Sequence, residues 1–220
     1  RQGGSWEVTN PLKDYPYGME ASIGRDPSNN TIHIIAINPK LNSLYLASCS
    51  LETWTTQEIT NIGSENNGYY LATMIAKNSI ISVVYNDFNG YPDINGRLKF
   101  SSNKSGIWAL EYIDLFADSA ALGSDSNTKY HIIYKRSNVL KYATNSTGSW
   151  ESNILFTDPG EVGISAGGGS VSLAIDDADR LYGTYYEDTS HSGQFDPISE
   201  GKIYFITNKT GTWERTLIDP

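Results

Sequence analysis

The chain has 220 residues, with 25 acidic and 16 basic side chains and a net charge of −9. That length fits one large all-β domain or two small ones, and a composition 39% hydrophobic and 19% charged provides for a packed core and excludes disorder. The acid excess argues against a nucleic-acid binder, which needs a basic track to displace counterions. No apolar run approaches the roughly 20 residues that span a bilayer as a helix, so no membrane insertion is expected.

Fifteen Tyr, six Phe and five Trp stand beside 20 Gly and eight Pro. Aromatics favour pleated, half-buried surfaces, and Gly and Pro punctuate short elements. A single cysteine, Cys49, excludes an intrachain disulfide, Cys-rich zinc sites and C-x-x-C-H haem attachment. The chain opens on Arg1 without a charged-then-apolar leader, which reads as a processed product or a piece of a longer polypeptide.

The tryptophans give an internal period: Trp6, Trp54, Trp108, Trp150 and Trp213, at gaps of 48, 54, 42 and 63 residues. Gly lies two before four of them (Gly4, Gly106, Gly148, Gly211), and Asn lies five before three (Asn103, Asn145, Asn208). A bulky apolar residue lies eight before (Leu46, Phe100, Tyr142, Phe205) and an aliphatic ten before (Leu44, Leu98, Leu140, Ile203). Positions ten and eight before share one strand face, because the strand period is two.

In chain order, residues 1–9 contain SWEVT, read as the outer strand of a preceding unit. Four complete units follow, at about 10–60, 61–114, 115–158 and 159–220. Each predicts four strands, A to D. The first reads MEASIGR, IHIIAIN, SLYLAS, WTTQEIT; the second YLATMIA, IISVVYND, RLKFSS, WALEYID. The third reads SAALGS, YHIIYKR, VLKYAT, WESNILF; the fourth SVSLAID, LYGTYYED, KIYFIT, WERTLID. Turns between them are rich in Asn, Asp, Ser and Gly.

Four-strand units at this period predict an all-β fold: a β-propeller of four four-stranded antiparallel blades plus one orphan outer strand. A strands carry small residues (Ala21, Ala72, Ala121, Ser172), as expected where inner strands converge on an axis. The alternative is a β-sandwich with degenerate repeats, which gives no reason for the four-strand period. The orphan strand exposes an unpaired edge, so the propeller is expected to be larger than this chain. Its further blades would come from the same polypeptide or another chain.

SSNKSGIW (101–108), TNSTGSW (144–150) and TNKTGTW (207–213) resemble Asp-box, or BNR, repeats, which mark the blades of sialidase-type propellers. LKYATNSTGSWESNILFTD (140–158) is similar to repeats of large secreted bacterial propeller proteins. The resemblance spans nearly the whole chain. It departs from the Asp box in having Asn for Asp and one residue more before the Gly. It implies a secreted or cell-surface location.

The motif chemistry itself is structural. Asn accepts a backbone N–H in a turn, Gly supplies positive φ, and Trp covers the seam between sheets. Trp6, Trp54, Asn103, Gly106, Trp108, Asn145, Gly148, Trp150, Asn208, Gly211 and Trp213 are therefore expected to build the fold, not to catalyse. In the first unit Cys49 replaces the Asn and Glu52 the Gly, and Cys49 reads as a small buried hydrophobe.

Chain direction puts the A–B and C–D turns at one end and the B–C and D–A loops at the other. The long loops, 87–97, 158–169 and 188–201, all fall at the second end. Elaborated loops on a rigid scaffold usually carry the function. The expected ligand residues are Asp87, Tyr91, Asp93, Asp188, Phe195 and Asp196. Aromatic planes and carboxylates suit sugars, and loop carboxylates also suit Ca²⁺. The competing reading is solvated loops with no ligand. No other cofactor and no metal-ligand spacing is evident.

The expected function is a non-catalytic extracellular module for carbohydrate binding, adhesion or surface assembly, with a glycan or surface protein as partner. The alternative is part of a sialidase-like glycoside hydrolase or lyase whose catalytic residues lie largely outside this chain. A sialidase site needs three arginines on one carboxylate. Of the six here, only Arg97 and Arg136 are expected at the loop end, so no catalytic residue is assigned.

Overall fold

The computed structural model describes residues 19–38, 40–51, 53–63, 71–87, 96–115, 117–158, 171–188 and 201–219. Every regular element among these residues is a strand. The first sheet holds β1 (Met19–Arg25), β2 (Ile32–Asn38), β3 (Ser43–Ser50) and β4 (Thr53–Asn61). The second holds β5 (Ala72–Lys77), β6 (Ile80–Asp87), β7 (Arg97–Ser102) and β8 (Ala109–Leu115). The third holds β9 (Ser119–Ser124), β10 (Tyr130–Arg136), β11 (Val139–Thr144) and β12 (Glu151–Thr157). The fourth holds β13 (Val171–Ile175), β14 (Leu181–Asp188), β15 (Gly201–Thr207) and β16 (Glu214–Asp219). Each sheet is an antiparallel meander in sequence order, as the four-strand period requires. The outer strand expected over Ser5–Thr9, with Trp6, lies outside the described residues.

Neighbouring sheets meet through their first strands, β1 against β5, β5 against β9 and β9 against β13. Among the described residues β13 makes no comparable contact with β1, so the sheets fan around an axis without closing. Apolar residues fill each seam. Ile35, Ile37, Leu44 and Leu46 of the first sheet face Met74, Val83 and Tyr85 of the second. Val84, Leu98 and Phe100 face Leu122, Ile132 and Tyr134 across the next seam, and Ile133 and Leu140 face Tyr185 and Ile206 across the last. Small residues permit the close approach of inner strands. A Cβ on Gly123 would stand 2.8 Å from Ile175 Cδ1 of the next sheet.

The repeat residues have defined places. Trp108 packs against the first seam, Trp150 against the second and Trp213 against the third. Trp150 tilts onto Phe100 at 5.1 Å and 55°, and Trp213 onto Tyr142 at 5.2 Å and 58°. The tryptophan of each of these sheets thus meets the aromatic eight places before the tryptophan of the preceding sheet.

The asparagines act differently from the expected local turn. Asn103 Oδ1 accepts the N–H of Ile81 at 2.8 Å, Asn145 Oδ1 that of Tyr130 at 2.8 Å, and Asn208 Oδ1 that of Leu181 at 2.7 Å. Each side chain ties the C–D turn to the start of strand B. The local bond, to the N–H two residues on, is made instead by the hydroxyl one place earlier: Ser102, Thr144 and Thr207. The turn closes when Gly106, Gly148 and Gly211 donate to the asparagine carbonyls at 2.8, 3.0 and 2.8 Å. Their φ values of 83°, 104° and 89° explain the glycine.

The first sheet departs from this pattern. β3 ends at Ser50 and β4 begins at Thr53, Leu51 has φ 48°, and Trp54 falls inside β4, opposite Cys49. Cys49 is half-buried, not the buried hydrophobe expected, because it lies at the turn end of β3, next to the exposed Ser50.

One repeat feature becomes visible only in the strand register. Every C–D pair carries a β-bulge, between Leu44/Tyr45, Leu98/Lys99, Leu140/Lys141 and Ile203/Tyr204. The extra residue lies five after each tryptophan and is aliphatic: Ile59, Ile113, Leu155 and Ile218. The first three turn into the seam toward the following sheet.

Candidate functional site

Between the second and third sheets, at the A–B and C–D turn end, lies a groove of about 490 Å³. Such a volume suits a small ligand. Its floor is Phe100 and Tyr130, with ring centroids 4.6 Å apart. Tyr130 is fixed from below, where Ser82 Oγ lies 2.9 Å from its hydroxyl. One wall is the start of β8, with Ala109 and Glu111; the other is the turn Asn127–Thr128–Lys129.

That turn is preset by its own sequence. Asp125 Oδ1 accepts the N–H of Lys129 at 2.8 Å, Thr128 takes φ 59°, and Lys77 Nζ of the second sheet holds the Asp125 carbonyl at 2.9 Å. Lys104 Nζ reaches across to Thr128 Oγ1 at 3.4 Å. Glu111 and Lys129 end at the groove with no side-chain hydrogen bond or ion pair among the described residues. The groove therefore offers a carboxylate, two ammonium groups, the Asn127 amide and hydroxyls, above rings that are themselves buried, Phe100 at 1% and Tyr130 at 5% exposed. This set can hydrogen-bond a polyhydroxylated ligand.

Turns at this end link sheet to sheet. Asp26 accepts the N–H of Ser79 at 2.5 Å, and Asp179 accepts the N–H and Oγ of Ser126 at 2.7 and 2.5 Å. His131, on the third sheet, is 6% exposed. It lies 3.3 Å from Asp125 through Nε2 and 2.6 Å from the Tyr142 hydroxyl through Nδ1. Burial holds its pKa below the usual histidine value, although Asp125 pulls the other way.

At the opposite end, Asp87 is 4% exposed, and its carboxylate pairs with Lys99 Nζ at 2.5 Å. Asp188 closes β14, where its backbone pairs with Gly201. Tyr91, Asp93, Phe195 and Asp196 lie outside the described residues. Beside these strand ends Asp158 is buried, 3.8 Å from Lys135 Nζ and 3.6 Å from Arg215. Burial raises its pKa, against the pull of Lys135. Among the described residues no group of three or more His, Cys, Asp or Glu could hold a metal ion.

Lys104, Glu111, Asn127 and Lys129 lie in short turns and at the start of a strand, away from the long loops to which the sequence directs attention. Short turns leave open the space between adjacent sheets, and that space makes the groove. A lysine in the C–D turn and another in the next A–B turn were the available signal.

Comparison with solved structures fixes the architecture. The Aleuria aurantia lectin, described as a six-bladed β-propeller with a novel fucose recognition mode, superposes with a TM-score of 0.60 at 14% identity, over 91% of this chain and 61% of the lectin. The sheets are β-propeller blades. AofleA from Arthrobotrys oligospora matches with a TM-score of 0.60 at 12% identity, over 94% of this chain and 58% of its own. The GH93 α-L-arabinofuranosidase of Fusarium graminearum, solved with arabinobiose, matches at 0.54 and 10% identity, over 90% and 65%. The blades here thus span about three fifths of the first two of these structures. No family model and no curated protein matches the sequence.

Proposed function

We propose that this chain is a carbohydrate-binding β-propeller module that acts outside the cell, and that the groove between the second and third blades receives the sugar. The observation that carries the reading is the groove itself: Glu111 and Lys129 stand unpaired among the described residues above the Phe100–Tyr130 floor. A sugar offers hydroxyls to such groups. The fold likeness to the Aleuria aurantia lectin, crystallised in complex with α-methyl-L-fucoside, and to an arabinobiose complex supports a saccharide as ligand.

A second reading places binding at the loop end, through Tyr91 and Phe195 with Asp93, Asp188 and Asp196. It is favoured by the placement of the β6 and β14 ends at that end of the sheets. Asp87 would contribute there as the partner that orients Lys99, given its pairing.

A glycan array, run with and without calcium, tests both. The groove reading expects a Glu111→Gln/Lys129→Ala double variant to lose its signals while a Tyr91→Ala/Phe195→Ala variant keeps them. The reverse pattern places binding at the loops. Signals untouched by either double variant would refute both sites.

A further inference from the structure

The outer face of the fourth blade has the chemistry of a seam with nothing packed on it among the described residues. Register defines the face. Tyr185 and Ile206 point into the third seam, so Tyr182, Thr184 and Tyr186 on β14, with their partners Ile203, Phe205 and Thr207 on β15, point away. Ser172 and Ala174 on β13 share that outward face.

Comparison with the other blades shows what the face lacks. The aliphatic ten places before the tryptophan is 0% exposed as Leu44, Leu98 and Leu140, and 42% exposed as Ile203. The bulged aliphatic is 7% exposed as Ile113 and 56% exposed as Ile218. Exposure is not a general property of an end blade. On the opposite end, Ala36, Tyr45 and Ala47 of the first blade, which point away from the second, are 4%, 6% and 0% exposed. That burial also argues against the first blade of a second copy as the missing neighbour.

We infer that this face is the docking surface for one further four-stranded blade of the same class, whose Gly-x-Trp turn lays its tryptophan on Phe205. The inference rests on seam geometry and is independent of where a sugar binds. Phe205 stands eight before Trp213, as Phe100 stands before Trp108 and Tyr142 before Trp150. Phe100 and Tyr142 each carry the tryptophan of the following blade, at 5.1 and 5.2 Å. Ile203 and Ile218 would be covered as Leu98 and Ile113 are. Tyr182, at the place of His131, stacks on Phe205 at 6.2 Å and completes an aromatic platform. The incoming blade must present small residues on its first strand, because Ser172 and Ala174 occupy the places of Ala121 and Gly123.

The test supplies a blade. A second copy of residues 115–158 is fused after Asp219, which stands six after its tryptophan as Asp114 does. Ile203→Cys is introduced in a Cys49→Ser background of both the 220-residue chain and the fusion. Thiol labelling is expected to be rapid in the former and at least tenfold slower in the latter. Phe205→Ala in the fusion is expected to restore rapid labelling. Slow labelling of Ile203→Cys in the 220-residue chain would mean that the face is already covered, and would overturn the inference. An appended unit that gains strand signal by circular dichroism yet leaves labelling rapid would overturn it too. So would an appended unit that stays unfolded, since a docking face of this class should template it.

Discussion

Single side chains in this protein act mostly by tying one element to the next. Asn145 Oδ1 accepts the Tyr130 N–H at 2.8 Å, and only its oxygen is needed for that bond. Asn145→Ala strands a backbone donor at the seam and should cost about 1–3 kcal/mol. Asn145→Asp keeps an acceptor and should cost less than about 1 kcal/mol at neutral pH; equal losses in urea melts would mean that the bond carries no weight. His131 adds a pH dependence. Burial depresses its pKa in the folded chain, with Asp125 opposing, while the unfolded value is about 6.5. The unfolded chain therefore binds the proton first as pH falls. Stability should be full above about pH 6.5 and decline below it until the folded-state pKa is reached. His33, whose pKa is lowered mainly by burial, acts in the same direction. Asp114 titrates lower: burial pushes its pKa up, but bonds from Lys141 and Tyr134 outweigh it, so its contribution is lost only as pH falls through the carboxylate range. The urea midpoint should drop between pH 7.5 and 5.5, and His131→Gln should reduce that drop.

At the scale of strands and turns, the tryptophan hairpin is the unit that repeats, and it was legible before the structure. Composition at four offsets gave the strands, because a residue ten and one eight before Trp150 must share a face, and Leu140 and Tyr142 do. What the asparagine does was not legible. A local turn and a cross-strand tie need the same side chain, and only the path of strand B decides between them. The bulge was hidden for a similar reason: an aliphatic five after each tryptophan looks like ordinary strand composition until its register is known. The groove was illegible because it belongs to no segment. Lys104 and Lys129 are far apart in sequence, and Phe100 reads simply as core. Two substitutions probe the seams. Trp150→Ala should cost about 3–5 kcal/mol, as truncating a packed tryptophan does, and a loss under about 1 kcal/mol would remove Trp150 from the seam. Gly183→Ala should also be destabilising, by about 1–3 kcal/mol. Its Cβ would stand 2.5 Å from the Ser172 carbonyl oxygen, a backbone atom that cannot swing aside, and 3.2 Å from Ile133 across the seam. A neutral Gly183→Ala variant in thermal melts would show that β13 can shift freely.

For the molecule as a whole, the described strands form a row of blades in which each packs on its neighbours, so stability should be graded along the row. The second and third blades each have a described seam on both sides, through Val83 and Val84 in one case and Ile132 and Ile133 in the other. The fourth has one, and its far side leaves Ile203 42% and Ile218 56% exposed. Local opening of that blade breaks a single seam, whereas opening of the second or third breaks two. Amides of β14 and β15 should therefore exchange with deuterium faster than those of β6, β7, β10 and β11. One seam's difference of even about 1.4 kcal/mol is a factor of about ten in rate. Trp213→Ala, which weakens only the third seam, should speed exchange in the fourth blade most and leave the second nearly unchanged. Trp150→Ala, at the middle seam, should speed the second and third together. Uniform exchange across all four blades, unchanged in pattern by either variant, would mean that the row opens as one cooperative body, and the nearest-neighbour account of its stability would fail.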